Sequence, residues 1–349
     1  MTIFTKLTAM EATNAQAAFF LHIKSRLAPH ISLVDEVAEI LDISTDSAYR
    51  RIRAEKTISF EELQKLCSHY KISLDQFLHL QSDSFIFNGR ITNNSDFTFE
   101  NWLQSVAKHL QLILNQQPNH LFYLAKEIPF FYYFLIPEIA AFKSFFFMKS
   151  ILYYEDWKTA KFSVKNDYSQ YHEIWNIIST SFASIPSTEI WSIENITSTI
   201  HQIEFYRVTG TLESDEDAVC LLDKLIELID HIERQAEYGV KLRYRQHPAT
   251  SNIVYKMFSN ELIMGDNMQL VQIGNTQLTY INHSVINFIV THDVAFNAYM
   301  KKTMDVIAQK STPISEVNEK DRILFFNRIR AKLKNARQQI LSSPYTPIA

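Results

Sequence analysis

The chain has 349 residues, 46% of them apolar and 21% charged, with a formal net charge of −4. That length exceeds one ordinary core and suits two or three domains of roughly 150 residues each, while the composition excludes a largely disordered chain. A near-neutral total excludes a protein that coats nucleic acid by bulk charge, so DNA affinity would have to come from a local basic surface.

Met1 to Phe20 lacks the basic flank and long apolar core of a secretory signal, so nothing directs export. A first helix is expected over Ala15 to Leu27. Four short helical patterns follow between Ile31 and Leu80. Ser32 with Asp35, Ser59 with Glu62, and Ser73 with Gln76 have the form of reciprocal N-terminal caps, in which each side chain satisfies an orphaned amide. Ile58 can reach Leu63 and Ile72 can reach Phe77 across two of these starts, as hydrophobic staples do. Val37, Ala38, Leu41, Ile43, Ala48, Ile52, Leu63, Leu66, Cys67, Ile72 and Phe77 supply a common core.

The central pair is a helix over Leu33 to Leu41, a tight turn through Asp42 and Ile43, and a helix from about Thr45 to Arg53, a helix-turn-helix arrangement. Ala48 and Ile52 mark the inward face of the second helix. Thr45, Asp46, Tyr49, Arg50 and Arg53 take the outward face and are the candidate base-reading residues. Four of the seven residues from Arg50 to Lys56 are basic, in a chain that is slightly acidic overall. Arg51 and Lys56 are candidate phosphate clamps, and Ser44, Ser47 and the helix's first amides are candidates to hold a phosphate.

These residues carry a resemblance. Leu33 to Leu80, containing VAEILDIS, TDSAYRRIRAEK and SFEELQKLCSHYKISLDQFL, resembles the Xre/Cro or lambda-repressor-like helix-turn-helix family over about one seventh of the chain. Ala38 stands at its small buried position, Ile43 at its turn aliphatic and Ser44 at its helix-start serine. The resemblance implies a five-helix DNA-binding fold with its recognition helix at Thr45 to Arg53. Three positions depart: the phosphate-gripping glutamine falls on Val34, the turn glycine on Asp42, and the glycine after the recognition helix on Ala54. A positive φ at Ala54 would cost roughly 1 kcal/mol.

A polar linker is expected over Asp83 to Asp96. Helical patterns then run over Phe99 to Asn115, Glu138 to Tyr154, Tyr168 to Phe182, Ser187 to Tyr206 and Asp215 to Tyr238, the last started by a Ser214–Asp217 cap. The most apolar run, Ile128 to Phe147, is broken by Pro129, Pro137, Glu138 and Lys143, so no membrane span of about 18 apolar residues is expected. Aromatics from Phe130 to Phe134, from Phe145 to Phe147, and at Tyr153, Tyr154 and Trp157 fit a filled helical core or an apolar effector pocket.

After Pro248 short β-prone runs, IVYKMF, MQLVQI, TQLTYI and VINFIVT, are punctuated at Gly265-Asp266-Asn267 and Gly274-Asn275, which suggests a small antiparallel sheet. Two helices close the chain, over Val294 to Gln309 and Val317 to Ile340. In the second, Phe326, Ile329, Leu333, Ala336 and Ile340 form a heptad-like seam for a second subunit or for docking within the chain. The five glycines form no phosphate-cradling loop, the histidines show no metal spacing, and Cys67 and Cys220 read as core residues of a reducing compartment.

The expected architecture is mainly α: a lambda-repressor-like domain over 1–85, a mainly helical assembly or sensor domain over 86–248, and a small α+β region over 249–349. The expected protein is a cytoplasmic, dimeric transcription regulator of bacterial helix-turn-helix type. Double-stranded DNA is its partner, with an unidentified small-molecule or protein effector and with no membrane partner, cofactor, metal or catalytic residue. His292-Asp293 and Asn260-Glu261 read as loop and cap residues. The alternative is an interaction or effector-sensing scaffold whose helix-turn-helix is not used on DNA.

Overall fold

The computed structural model describes residues 15–27, 31–78, 85–89, 97–262, 265–282 and 287–342. The Gln76 side chain, on which the expected reciprocal cap with Ser73 depends, and the linker over Asp83 to Asp96 apart from 85–89, lie outside what is described. The chain divides into two compact units, Met1–Ile86 and Phe87–Ala349.

In the first unit the described helices are α1 (Ala15–Arg26), α2 (Leu33–Leu41), α3 (Thr45–Ile52), α4 (Phe60–Tyr70) and the single turn α5 (Leu74–Phe77). The starts of α2, α3 and α4 follow from side-chain chemistry: Ser32, Ser44 and Ser59 accept hydrogen bonds from the amides of Asp35, Ser47 and Glu62, and Ser59 with Glu62 closes a full capping box. Phe19, Phe20, Ile23, Val37, Ala38, Leu41, Ala48, Leu66 and Ile72 are buried together, with Ile43, Ile52, Leu63 and Cys67 packed around them. Asp42 ends α2 in the left-handed region at φ 55°, and Ala54 follows α3 at φ 59°. Alanine at that position costs about 1 kcal/mol relative to glycine.

In the second unit the expectation of a mainly α chain with a small α+β end is overturned. The described strands form one eight-stranded mixed sheet in the order β1-β7-β6-β5-β2-β3-β4-β8, so the unit is an α/β fold. They are β1 (Asn88–Gly89), β2 (Asn119–Leu124), β3 (Ser187–Trp191), β4 (Tyr255–Ser259), β5 (Met268–Ile273), β6 (Thr276–Asn282), β7 (Phe288–Thr291) and β8 (Thr312–Pro313). β2, β3 and β4 are mutually parallel, and the remaining pairings are antiparallel. The pattern read as a helix over Ser187 to Tyr206 is a strand followed by a separate helix. β3 lies between two parallel neighbours and is covered on both faces, so it lacks the apolar–polar alternation that marks a one-sided strand.

The helices of this unit are α6 (Phe99–Leu114), α7 (Pro137–Phe146), α8 (Ser169–Phe182), α9 (Thr197–Val208), α10 (Asp215–Tyr238), α11 (Val294–Gln309) and α12 (Glu319–Ser342). Leu121, Tyr123, Trp191, Tyr255, Met257 and Val271 point to one sheet face and join the large core formed with α6 to α10 and α12. Leu124, Ile190 and Leu270 alternate to the opposite face and pack on Met300, Met304 and Ile307 of α11. Aromatics fill the larger core: Phe131 stacks on Phe182 at 4.6 Å and Phe145 meets Tyr206 edge-on at 5.7 Å. Gly239 closes α10 at φ 65°, the left-handed cap that glycine adopts without a Cβ clash. No helix among the described residues is long and apolar enough to cross a membrane.

The seam of α12 is filled from within the chain. Phe326, Ile329 and Leu333 are fully buried and α12 packs along α10. Arg330 pairs with Asp230 at 2.7 Å and with Glu233, Arg337 with Asp223 at 2.8 Å, Lys332 with Glu194 at 2.6 Å, and Arg328 with Glu261 at 2.6 Å. A second subunit therefore cannot use the seam unless α12 leaves α10.

Lys143 on α7 is 3% exposed and pairs with no carboxylate among the described residues. Its ammonium donates to Thr199 Oγ1 at 2.8 Å and Gln202 Oε1 at 2.7 Å, and lies 4.2 Å from the centroid of the Tyr133 ring. Burial drops this ammonium from its usual 10.5 to about 7. Between pH 7 and 10 the unfolded chain keeps a proton here that the folded chain releases. Folding stability should therefore rise with pH across that window, by up to about 1.4 kcal/mol per pH unit for one proton. Urea titrations at pH 7, 8 and 9 should show that rise, and Lys143→Met should reduce its slope by one proton's worth, the buried Lys241 ammonium, lowered to about 8, supplying what remains above pH 8. An equal slope in the variant would assign the proton elsewhere.

Candidate nucleic-acid interface

The outward face of α3 follows from its period. With Ala48 buried at the centre of the inward face, Asp46, Arg50 and Arg53 fall near the opposite side and Tyr49 on its flank. Thr45, Asp46, Tyr49, Arg50 and Arg53 are all exposed, so the five expected base-reading residues share one accessible surface. Arg50 makes no ion pair among the described residues. Arg53 pairs with Glu55 through Nε at 3.5 Å, and its guanidinium carbon lies over the Tyr49 ring, 5.5 Å from the centroid.

The expected phosphate residues divide. Lys56 is exposed and makes no ion pair among the described residues. Arg51, expected as a clamp, is instead 6% exposed and turned inward. Its Nε donates to Glu62 Oε2 at 2.9 Å, Nη2 to Oε1 at 2.6 Å, and Nη1 to the Ser47 carbonyl at 3.1 Å. This bidentate bond is the first cause holding the Glu62 carboxyl below its usual range. The helix period could have revealed it, since Arg51 lies only about 60° around the helix from Ala48. Ser44 is the helix cap: its Oγ accepts from the Ser47 amide at 3.3 Å and donates to Ser47 Oγ at 3.0 Å. Both hydroxyls are thus engaged with each other.

A residue that sequence reasoning missed fixes the loop after α3. Gln16 Nε2 on α1 donates to the carbonyls of Arg51 and Lys56, each at 2.7 Å, and its Oε1 accepts from the Ile58 amide at 3.0 Å. One carboxamide thereby ties both ends of the segment that carries Arg53, Glu55 and Lys56. The Glu55 and Lys56 amides turn back to the Arg50 carbonyl at 2.8 and 3.2 Å. A lone glutamine on an apolar helix gives no local signal of partners some forty positions away.

Elsewhere Asp293, Asn260 and Glu261, expected as loop and cap residues, have structural partners. Asp293 caps α11 by accepting from the Phe296 amide at 2.7 Å, Glu261 pairs with Arg328, and Asn260 Nδ2 donates to Ser311 Oγ at 2.8 Å. Among the described residues no three His, Cys, Asp or Glu side chains gather as a metal site. Comparison of the chain with protein-family models, curated proteins and solved structures finds no match, so the geometry of α3 and its loop is what bears on function.

Proposed function

We propose that this chain is a sequence-specific DNA-binding regulator of the Xre/Cro kind, acting in the cytoplasm by occupying an operator. The observation that carries this reading is the exposed, partly unpaired cationic face of α3 and its loop, on the second helix of a tight helix pair. Arg50 and Arg53 supply the planar forks that can match guanine, with Thr45, Asp46 and Tyr49 beside them. Lys56 supplies the backbone contact, while Arg51 holds the module together from inside. A helix of eight residues reaches only a few base pairs, so useful specificity calls for two copies on related half-sites about 34 Å apart or a multiple of it. The second unit then serves assembly and the sensing of an effector.

Selection of duplexes from fragmented genomic DNA by the full-length protein tests the reading, with an enriched palindromic sequence as the expected result. On that duplex Arg50→Ala should cost about 1–3 kcal/mol of binding. Lys56→Ala should weaken random duplexes too and lower the salt slope by about one. Unchanged operator binding by the Arg50 variant would remove Arg50 from base reading.

One observation favours a second reading. The first turn of α2 carries Asp35 and Glu36, so this helix terminus presents carboxylates where a phosphate would sit. A protein-interaction scaffold that retains the helix-turn-helix shape would tolerate those charges. Failure to enrich any duplex, together with a reproducible protein partner, would select it.

A further inference from the structure

We propose that Arg53 is the arginine that sets sequence preference, and that Tyr49 and Glu55 position it to read a guanine through its two terminal nitrogens. This inference rests on the DNA-binding reading and assigns a finer role within it. Arg50 on α3 and Arg53 at its C-cap are both exposed, but their surroundings differ. Arg50 has no ion pair among the described residues, so its long side chain can swing between a base edge and a phosphate. Arg53 is held on two sides: the Tyr49 ring lies under its guanidinium carbon at 5.5 Å, and Glu55 Oε1 approaches Nε at 3.5 Å.

Those contacts are made at the guanidinium carbon and the inner nitrogen. They leave Nη1 and Nη2 without partners among the described residues, and that pair forms the fork whose spacing matches N7 and O6 of guanine in the major groove. An arginine oriented before binding loses less side-chain freedom on docking than a free one, and it penalises a base that lacks the two acceptors. The loop bearing Glu55 is itself fixed by Gln16 and by the amide bonds to the Arg50 carbonyl, so the carboxylate is presented from a defined backbone. Glu55 also repels phosphate. Its presence beside a DNA face therefore lowers affinity for every sequence while sharpening the preference for one.

The test uses the full-length protein on its selected duplex, with all four base pairs placed at each half-site position, and on a random duplex at two salt concentrations. Arg53→Ala should flatten preference for guanine at one position by about 5- to 150-fold. Glu55→Gln and Tyr49→Ala, both at exposed positions, should flatten the same position by about 2- to 5-fold. Glu55→Gln should at the same time bind random duplex no more weakly than the parent chain. In an Arg53→Ala background, Glu55→Gln should have no further effect on base preference. The proposal is overturned if Glu55→Gln leaves preference at that position intact, or alters preference equally in the Arg53→Ala background. It is also overturned if Arg53→Ala weakens all sequences alike with a smaller salt slope, which is the signature of a phosphate contact. Failure of the parent chain to enrich any duplex is a separate result: it removes the DNA reading itself, and this inference with it.

Discussion

Lys241→Met is expected to destabilise the second unit by about 3–5 kcal/mol, although methionine fills nearly the same volume. Lys241 and Glu189 are both fully buried and lie 3.2 Å apart, between the sheet and its helical layer. Glu189 also accepts from Tyr132 OH at 3.0 Å, Ser187 Oγ at 2.9 Å, Trp191 Nε1 at 2.9 Å and Tyr255 OH at 3.3 Å. The ammonium sits 3.3 Å from the centroid of the Phe182 ring, where burial lowers its hold on a proton and Glu189 partly restores it. Burial and the Glu189 charge push the Tyr132 and Tyr255 hydroxyls well above their usual range, so both stay donors. Removing only the lysine leaves a carboxylate without its cation in a low-dielectric core. The double variant Lys241→Met/Glu189→Gln removes both charges; the hydroxyls of Tyr132 and Ser187 can reverse to accept from the new amide, while its oxygen faces Trp191. It should therefore recover most of the loss, to within about 2 kcal/mol of the parent. Urea unfolding followed by tryptophan fluorescence measures both, and a double variant no more stable than the single one would show that the charge pair is not what holds this network.

The same network explains why the sheet was only half legible. The strands after Pro248 are separated by turn residues and flank a meander, and β5, β6 and β7 lie where MQLVQI, TQLTYI and VINFIVT predict them. β2 and β3 gave no such sign. NHLFYL was assigned to no element, and STEIW places Glu189 in mid-strand, where a buried carboxylate reads as the polar face of a helix. Ser187 and Trp191 donate from two residues away on the same strand, but the counter-ion Lys241 and the hydroxyls of Tyr132 and Tyr255 come from positions distant in sequence. Helices with strong local punctuation fared differently: α10 and α11 start after Ser214 and Asp293 and span the residues their patterns mark.

At the candidate interface, exposure was legible wherever it followed from helical period alone, as for Asp46, Tyr49, Arg50 and Arg53. At Arg51 the period points inward, but a basic residue in a basic run reads as surface; what the period does not show is the partner, since nothing local marks Glu62 as at once the α4 cap partner and a counter-ion. Glu62 Oε2 accepts both the Ser59 amide at 3.0 Å and Arg51 Nε at 2.9 Å, so the start of α4 and the end of α3 share one carboxylate. Gln16 was invisible for a related reason, since its three partners are backbone groups of a loop distant in the chain.

Arg51→Ala separates these two views of the basic cluster. A phosphate clamp would lose one charge contact: binding to all duplexes would weaken, the salt slope would fall by about one, and stability would barely change. An internal strut behaves otherwise. Its loss strands Glu62, which is 19% exposed in its side chain, and frees the Ser47 carbonyl. The expected cost is about 2–4 kcal/mol, below the full figure for a buried pair because water reaches Glu62. A module of this size has little stability to spare. Amide exchange on the full-length chain should therefore speed up across α2, α3 and α4 while the second unit stays protected, and DNA binding should fall with the folded fraction. Arg51→Ala/Glu62→Ala should restore part of the protection, since no unpaired carboxylate remains. Unchanged exchange with a reduced salt slope would return Arg51 to the phosphate surface.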